Sequence, residues 1–351
     1  MAEAPAAPLA PVAGLGRGAH EAAHFAALDL GTNNCRLLIA TPAARGFRIV
    51  DAYSRIVRLG EGLSASGRLS DAAMDRALAA LRICADKIHK RQPVRVRAIA
   101  TQACRAAANG GDFLARVAAS TGLKLDVISP REEARLAVAG CANLIDWDAD
   151  AALVLDVGGG STELSWLDLR QGRGERRTPI KAWLSVPIGV VTLAERFPEG
   201  ERADAAWFRS MVEAVKAPLL TFEHADALRP LFDDGRAHLV GTSGAITSLA
   251  GLHLDLPRYE RARVDGLWMT RGECDAVALK LAALTTRERA AQPCIGPDRA
   301  DLVLAGAAIL AAVQEVWPCE RVRVADRGLR EGVLLTMMQE RRRPRRRRGR
   351  R

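Results

Sequence analysis

Two short stretches of the chain carry the residue types needed to hold a phosphate. They are Ala26-Ala27-Leu28-Asp29-Leu30-Gly31-Thr32-Asn33-Asn34 and Ala152-Leu153-Val154-Leu155-Asp156-Val157-Gly158-Gly159-Gly160-Ser161-Thr162. In each, an apolar run enters an Asp-x-Gly turn. Glycine lets backbone N–H groups come close to an anion, Ser, Thr and Asn add side-chain donors, and the aspartate can hold a divalent cation that offsets the negative charge. Phosphate contacts are therefore expected from Thr32, Asn33, Gly158, Gly159, Gly160, Ser161 and Thr162. A third turn, Gly241-Thr242-Ser243-Gly244, joins the apolar run Ala237 to Val240 to a helix-like stretch, Ala245 to Ala250. Such a helix start presents unpaired N–H groups and the positive end of a dipole to an anion.

Chemistry at a phosphate would also need a group to handle a proton. Ser129-Pro130-Arg131-Glu132 reads as a capping box, with Ser at the cap, Pro at the first helical position and Glu at the third. Glu132 then has a structural task and Glu133, about 100° further round the helix, has none. A carboxylate there, beside strand ends that bind phosphate, can position and deprotonate a water. Taken alone, two adjacent glutamates read more simply as a solvated face. Arg105 follows the strand-like Val94 to Ala100 with Thr101 and Gln102. Ligands of open α/β sheets sit beyond such strand ends, although a lone arginine in that setting reads more readily as a surface helix residue.

Simple elements can position these groups. Each Asp-x-Gly turn leaves by a second apolar run, Cys35 to Ala40 and Glu163 to Leu167, so each is the tip of a hairpin. Arg48 to Ser54 and Leu125 to Ile128 read as further strands. Ser70 caps a helix whose Met74, Ala77, Leu78, Leu81, Ala85 and Ile88 share one face. Trp183 to Val190 leads into a helix through Phe197, Gln171 to Gly174 reads as a hairpin loop, and Leu302 to Val313 as a core helix. Two phosphate tips imply two lobes facing one anionic ligand.

At 351 residues and 49% hydrophobic, the chain is long enough for two cores, and with only 4% aromatics these must be aliphatic. No run of about 18 uncharged apolar residues is present. The Ala/Pro/Gly-rich start, residues 1–22, lacks a basic segment followed by a long apolar one and is expected to be a disordered tail. A soluble cytoplasmic protein with no membrane contact follows as the expectation. The seven cysteines are scattered without C-x-x-C pairing, which argues against disulfides and structural zinc. Net charge is +10, but nine of the 51 basic residues lie between Arg341 and Arg351, leaving 42 against 41 acidic. The body is nearly neutral and the block should be a disordered tail. It reads either as a solvated tail with no role or as a tether for RNA or another polyanion.

Read in order, Asp29-Leu30-Gly31-Thr32-Asn33, Glu132-Glu133-Ala134-Arg135, Asp156 through Glu163 and Gly241-Thr242-Ser243-Gly244 resemble the exopolyphosphatase and guanosine pentaphosphate phosphohydrolase family. The segment Ala100 to Asn109 and the closing Asp326-Arg327-Gly328-Leu329-Arg330-Glu331-Gly332-Val333-Leu334 extend the likeness over Phe25 to Met338. The resemblance implies an α/β fold of two actin-like ATPase lobes, ribonuclease H-like, with a phosphate cleft between them. The lobes are expected at 23–135 and 136–340, with the last helix packing back on the first. It implies Mg²⁺-dependent release of a terminal phosphate from inorganic polyphosphate, or of the 5′ γ-phosphate from guanosine pentaphosphate. Glu133 is the implied base, Arg105 a phosphate clamp, and Asp29, Asp156 and Glu163 the metal-side carboxylates. A homodimer is also implied. Longer relatives carry an extra helical C-terminal region, so a short two-domain form is expected here. The glycine turns alone equally allow a kinase of the same fold, and a non-catalytic polyphosphate or alarmone sensor is the alternative outside enzymes.

Overall fold

The computed structural model describes residues 23–44, 46–171, 180–200 and 204–342. The expected N-terminal tail, the 172–174 part of the expected hairpin loop and residues 343–351 of the arginine block lie outside the described residues. The first two arginines of that block instead end a helix, Leu329–Arg342.

The described strands form two mixed sheets. The first has β1 (Phe25–Leu30), β2 (Asn34–Pro42), β3 (Phe47–Ile56), β4 (Arg95–Ala100) and β5 (Leu125–Val127), in the order β3-β2-β1-β4-β5. The second has β6 (Ala151–Val157), β7 (Thr162–Asp168), β8 (Ile180–Val186), β9 (Ala237–Thr242), β10 (Trp268–Thr270) and β11 (Arg321–Ala325), in the order β10-β11-β9-β6-β7-β8. Each sheet opens with two antiparallel hairpins and continues with parallel strands, and in the second β10 closes the edge antiparallel to β11. The two Asp-x-Gly turns are the tips of β1-β2 and β6-β7, as their flanking apolar runs predict.

Unbroken apolar runs such as Ala26 to Leu28 and Ala151 to Leu155 arise because both faces of each sheet are covered. From β1, Ala26, Leu28 and Leu30 enter a core shared with Met74, Ala77, Leu78 and Leu81 of the Asp71–Arg91 helix. Phe25 and Ala27 point the other way, onto Val333, Leu334, Met337 and Met338 of the final helix. That helix belongs by sequence to the second half and packs on the first sheet. Ser70 caps the Asp71–Arg91 helix by accepting from the Ala73 N–H at 3.3 Å.

The Pro130–Cys141 helix joins the lobes. The boundary expected after residue 135 falls inside it, yet the helix runs unbroken and feeds both cores: Leu136 enters the one under β1, Val138 and Cys141 the one under β6. It crosses the final helix at two glycines. A Cβ on Gly140 would stand 1.9 Å from the Gly328 carbonyl oxygen, and one on Gly332 1.9 Å from that of Leu136. Only glycine permits this approach, which brings the second half of the Pro130–Cys141 helix against the first turn of the final one. No helix among the described residues is long and apolar enough to cross a membrane.

Candidate active site

A cleft of about 600 Å³ opens where the turns converge. Its walls include Asp29, Thr32 and Asn33 from the first tip, Asp156 and Gly158 through Ser161 from the second, and Thr242, Ser243 and Gly244 from the third turn. The two hairpin tips touch. A Cβ on Gly159 would meet the Asn33 nitrogen at 3.0 Å, and one on Gly160 the Gln102 Oε1 at 2.1 Å. The glycines are thus required for two loops, over a hundred residues apart, to come into contact. Ser243 takes φ 103, a strained region for a side chain, while its hydroxyl accepts from the Ala245 N–H at the start of the Gly244–His253 helix.

Glu133 also lines the cleft. Ser129 caps its helix, accepting from the Glu132 N–H at 3.2 Å, but the reciprocal half of the expected capping box is absent. The Glu132 carboxylate instead takes Arg135 at 2.8 and 2.9 Å and Arg97 at 3.1 Å. Two nearby guanidiniums outcompete one backbone N–H for a carboxylate. Glu132 is therefore engaged on the outside, and Glu133 is buried at 7% exposure. Burial pushes the Glu133 carboxyl well above its ordinary range, the neighbouring Glu163 adds to this, and Arg105 opposes it.

Four residues expected on the cleft wall lie behind it. Arg105 donates to the Ile128 carbonyl at 2.7 Å and reaches Glu133 at 3.4 Å, so it backs the carboxylate and does not face the cavity. The Thr162 hydroxyl donates to the Ile188 carbonyl at 2.7 Å. Gly241 is inside β9, under Ile246. Glu163 is 2% exposed and is held by Ser185 at 2.8 Å and by Ser161. Burial raises its carboxyl, against the pull of those two hydroxyls.

The same burial reaches the two aspartates. Asp29 is raised to about 6, chiefly by desolvation and against the pull of Arg36 and Arg330. Asp156 is raised to about 7 by desolvation, then by Glu163 and Asp29. Among the described residues no three His, Cys, Asp or Glu side chains converge as a metal cage, and of the expected Asp29, Asp156 and Glu163 the first two line the cleft. The serines have already engaged Glu163. Asp29 keeps a buried Oδ1 with no hydrogen-bond partner. Two carboxylates, one of them with an orphaned oxygen, fit a magnesium ion, which takes few protein ligands and completes its shell with water and substrate phosphates.

Sequence reasoning missed the cations. Arg36 on β2, Arg299 and Arg330 all line the cleft. Arg36 is pushed below its ordinary pKa by desolvation first and by Arg330 and Arg299 besides, and its Nε has no partner. Arg36 is thus held close to two other guanidiniums, of which Arg330 also lies 3.8 Å from the Glu331 carboxylate. By contrast, Arg327 is bound to Asp265 and Arg261 to the Asp326 carbonyl and Glu331. The place of Arg36 was readable, because strand alternation puts it opposite Asp29; the loop around Arg299 had no readable signal.

A sequence profile of the Ppx/GppA phosphatase family matches residues 38–341. This chain belongs to that family. The crystal structure of the Aquifex aeolicus Ppx/GppA family member is 28% identical, with a TM-score of 0.73 over 92% of this chain and 99% of that one. An exopolyphosphatase-like protein is 30% identical, with a TM-score of 0.78 over 90% and 97%. An exopolyphosphatase from Cytophaga hutchinsonii shares the fold, at 24% identity and a TM-score of 0.80 over 90% and 98%. The two-lobed actin-like architecture and the phosphatase family membership are thereby established together.

Proposed function

We propose that this Ppx/GppA family member hydrolyses the terminal phosphoanhydride of inorganic polyphosphate or the 5′ γ-phosphate of guanosine pentaphosphate, with Glu133 as general base. One observation carries the reading: a buried carboxylate of raised pKa faces a cleft in which glycine-turn amides and three guanidiniums await an anion. A carboxylate whose pKa is raised by burial is a stronger base toward a water proton than an ordinary glutamate.

Phosphoryl transfer depends on placement and charge neutralisation more than on covalent help. The amides of Gly159 to Ser161 and of Thr32 and Asn33 would hold the non-bridging oxygens of the terminal phosphate, while the Gly158 N–H closes the turn on the Ser161 carbonyl at 2.9 Å. Arg36, Arg299 and Arg330 would take the charge of the next groups along the chain. Glu133 orients a water and accepts its proton as oxygen bonds to phosphorus and the bridging P–O bond breaks, while Arg105 and Ser129 fix the glutamate's position. Asp29 and Asp156 would hold Mg²⁺, which supplies further neutralisation of the phosphate charge. Beyond the cations the cleft continues along Tyr259, Pro293 and Ile295, a wall that suits a nucleoside better than a bare phosphate chain.

Glu133→Gln keeps size and removes basicity. Turnover on tripolyphosphate, long polyphosphate and guanosine pentaphosphate should fall about a hundredfold or more with KM nearly unchanged. Phosphate release at the wild-type rate would end the assignment.

A further inference from the structure

One loop touches the phosphate turn on one side and the opposite lobe on the other. After β3, the N–H groups of Val57 and Arg58 donate to the Asn33 carbonyl at 2.8 and 3.0 Å, and that of Gly60 donates to the Thr32 carbonyl at 2.9 Å. The loop thus clamps the Thr32–Asn33 turn from behind. Across the interface, Arg58 Nη1 donates to Asp301 Oδ2 at 2.8 Å, and its Nη2 donates to Asp301 Oδ1 at 3.0 Å and to the Asp298 carbonyl at 3.2 Å. The Gly62 N–H donates to Glu195 Oε1 at 2.8 Å.

The backbone of Arg58 is left-handed, at φ 46. For a residue with a side chain this costs of order 1 kcal/mol or more and persists where the surroundings over-determine it. Arg76 does so here, donating to the Val57 carbonyl at 3.0 Å and the Arg58 carbonyl at 3.2 Å. Between the two residues that Arg58 grips, Asp298 and Asp301, stands Arg299, which enters the cleft. An ion pair as exposed as Arg58 with Asp301 adds little stability. A two-pronged guanidinium–carboxylate contact does fix direction and spacing.

We propose that Arg58 is a positioning residue: it sets the distance between the Thr32–Asn33 turn of one lobe and Arg299 of the other, so that both meet the same phosphate chain. Arg58 itself touches no substrate. The kinetic consequence rests on the phosphohydrolase reading; the spacing does not. Placement errors of about an ångström are expensive in sites that work by orientation.

Arg58→Asn removes the prongs while keeping a residue that tolerates a left-handed backbone. That variant and Asp301→Asn should each raise KM for tripolyphosphate about tenfold, with kcat within about threefold, and the double variant should be no worse than either single. Arg58→Lys, which keeps charge and loses the fork, should resemble Arg58→Asn. The second readout needs no activity. Because all seven native cysteines are buried, spin labels can be placed at Lys124→Cys and Leu279→Cys, exposed positions in the two lobes. The distance distribution measured by double electron–electron resonance should broaden in Arg58→Asn. An unchanged distribution, additive KM effects, or full recovery by Arg58→Lys would each overturn the proposal. A broadened distribution in a chain that releases no phosphate would uphold the positioning role and remove the phosphohydrolase reading instead.

Discussion

In the first lobe, Asp29 on β1 lies opposite Arg36 on β2, which lies opposite Ser54 on β3. In the second, Asp156 on β6 lies opposite Glu163 on β7, which lies opposite Ser185 on β8. The strand orders β3-β2-β1-β4 and β8-β7-β6-β9 run alike, so these are equivalent positions in two copies of one pattern. Aspartate and serine recur; the residue between them changes sign. The environment changes with it. Glu163 is tied to two serine hydroxyls behind the wall, whereas Arg36 keeps an unpartnered Nε in the cleft. One scaffold therefore yields two kinds of wall, a cationic one open to a ligand and an acidic one that acts on Glu133 from behind.

The sharpest way to break this comparison is to neutralise both middle residues and ask which kinetic parameter moves. Arg36→Gln removes a charge that would contact the substrate, so KM for tripolyphosphate should rise by about 10- to 100-fold with kcat within a few-fold. Glu163→Gln leaves the cleft wall intact but removes a negative neighbour that adds to the burial raising the Glu133 carboxyl. Glu133 becomes a weaker base, and kcat should fall by about tenfold while KM stays within a few-fold. Steady-state kinetics on both variants decide the matter. If both move the same parameter, the division between a binding wall and a chemical wall is wrong.

Metal-free stability sharpens the same contrast. In the folded protein burial raises the pKa of Asp29 to about 6 and that of Asp156 to about 7, above the 3.8 of an unperturbed aspartate. The folded state then holds protons that the unfolded chain has lost, so stability falls as pH rises from about 4 through these values, and the full cost is present above pH 7. Replacing either by asparagine should stabilise the protein at pH 8 in EDTA, by at most about 3 kcal/mol for Asp29 and about 4 kcal/mol for Asp156, read as a rise in Tm. Near pH 4 the variants and the parent should melt together. Equal gains at both pH values would show that charge burial is not the cause.

Much of this was legible because local chemistry and strand periodicity agree. The hairpin tips, the Ser70 and Ser129 caps and the isolation of Glu133 follow from spacing alone. What escaped depends on contacts made by residues far apart in sequence. Arg105 and Glu163 have the right types for the cleft, but the Ile128 carbonyl and the Ser161 and Ser185 hydroxyls claim them first. Arg299 sits in a Pro- and Gly-containing loop with no periodic pattern, and only folding shows that Arg58 carries it to the cleft. Arg36 is a different case, since its register opposite Asp29 was available once the hairpin was drawn.

The smallest effect concerns the far ends of the sheets. Four residues before Asp29 and Asp156, the parallel neighbours are Arg95 in the first lobe and His238 in the second. Arg95 is exposed and paired with Glu340, while His238 is fully buried and its Nε2 accepts the Asp146 N–H at 3.2 Å. Burial lowers the His238 pKa to about 4, with Arg321 and Arg323 adding to the effect and Asp146 opposing it. Unfolded histidine titrates near 6.5, so between pH 6.5 and 4 the unfolded chain binds the extra proton and stability is lost as pH falls. The limit is about 3 kcal/mol for one such group. His238→Gln offers an amide oxygen to the same N–H and cannot titrate. The cleft carboxylates, whose slope in this range has the opposite sign, are common to both proteins and cancel in the difference. All six tryptophans lie at or beyond Trp147, so urea melts followed by tryptophan fluorescence report on the second lobe. The parent should lose stability relative to His238→Gln as pH drops from 6.5 to 4; parallel curves would mean that the buried imidazole does not weaken the second lobe in acid.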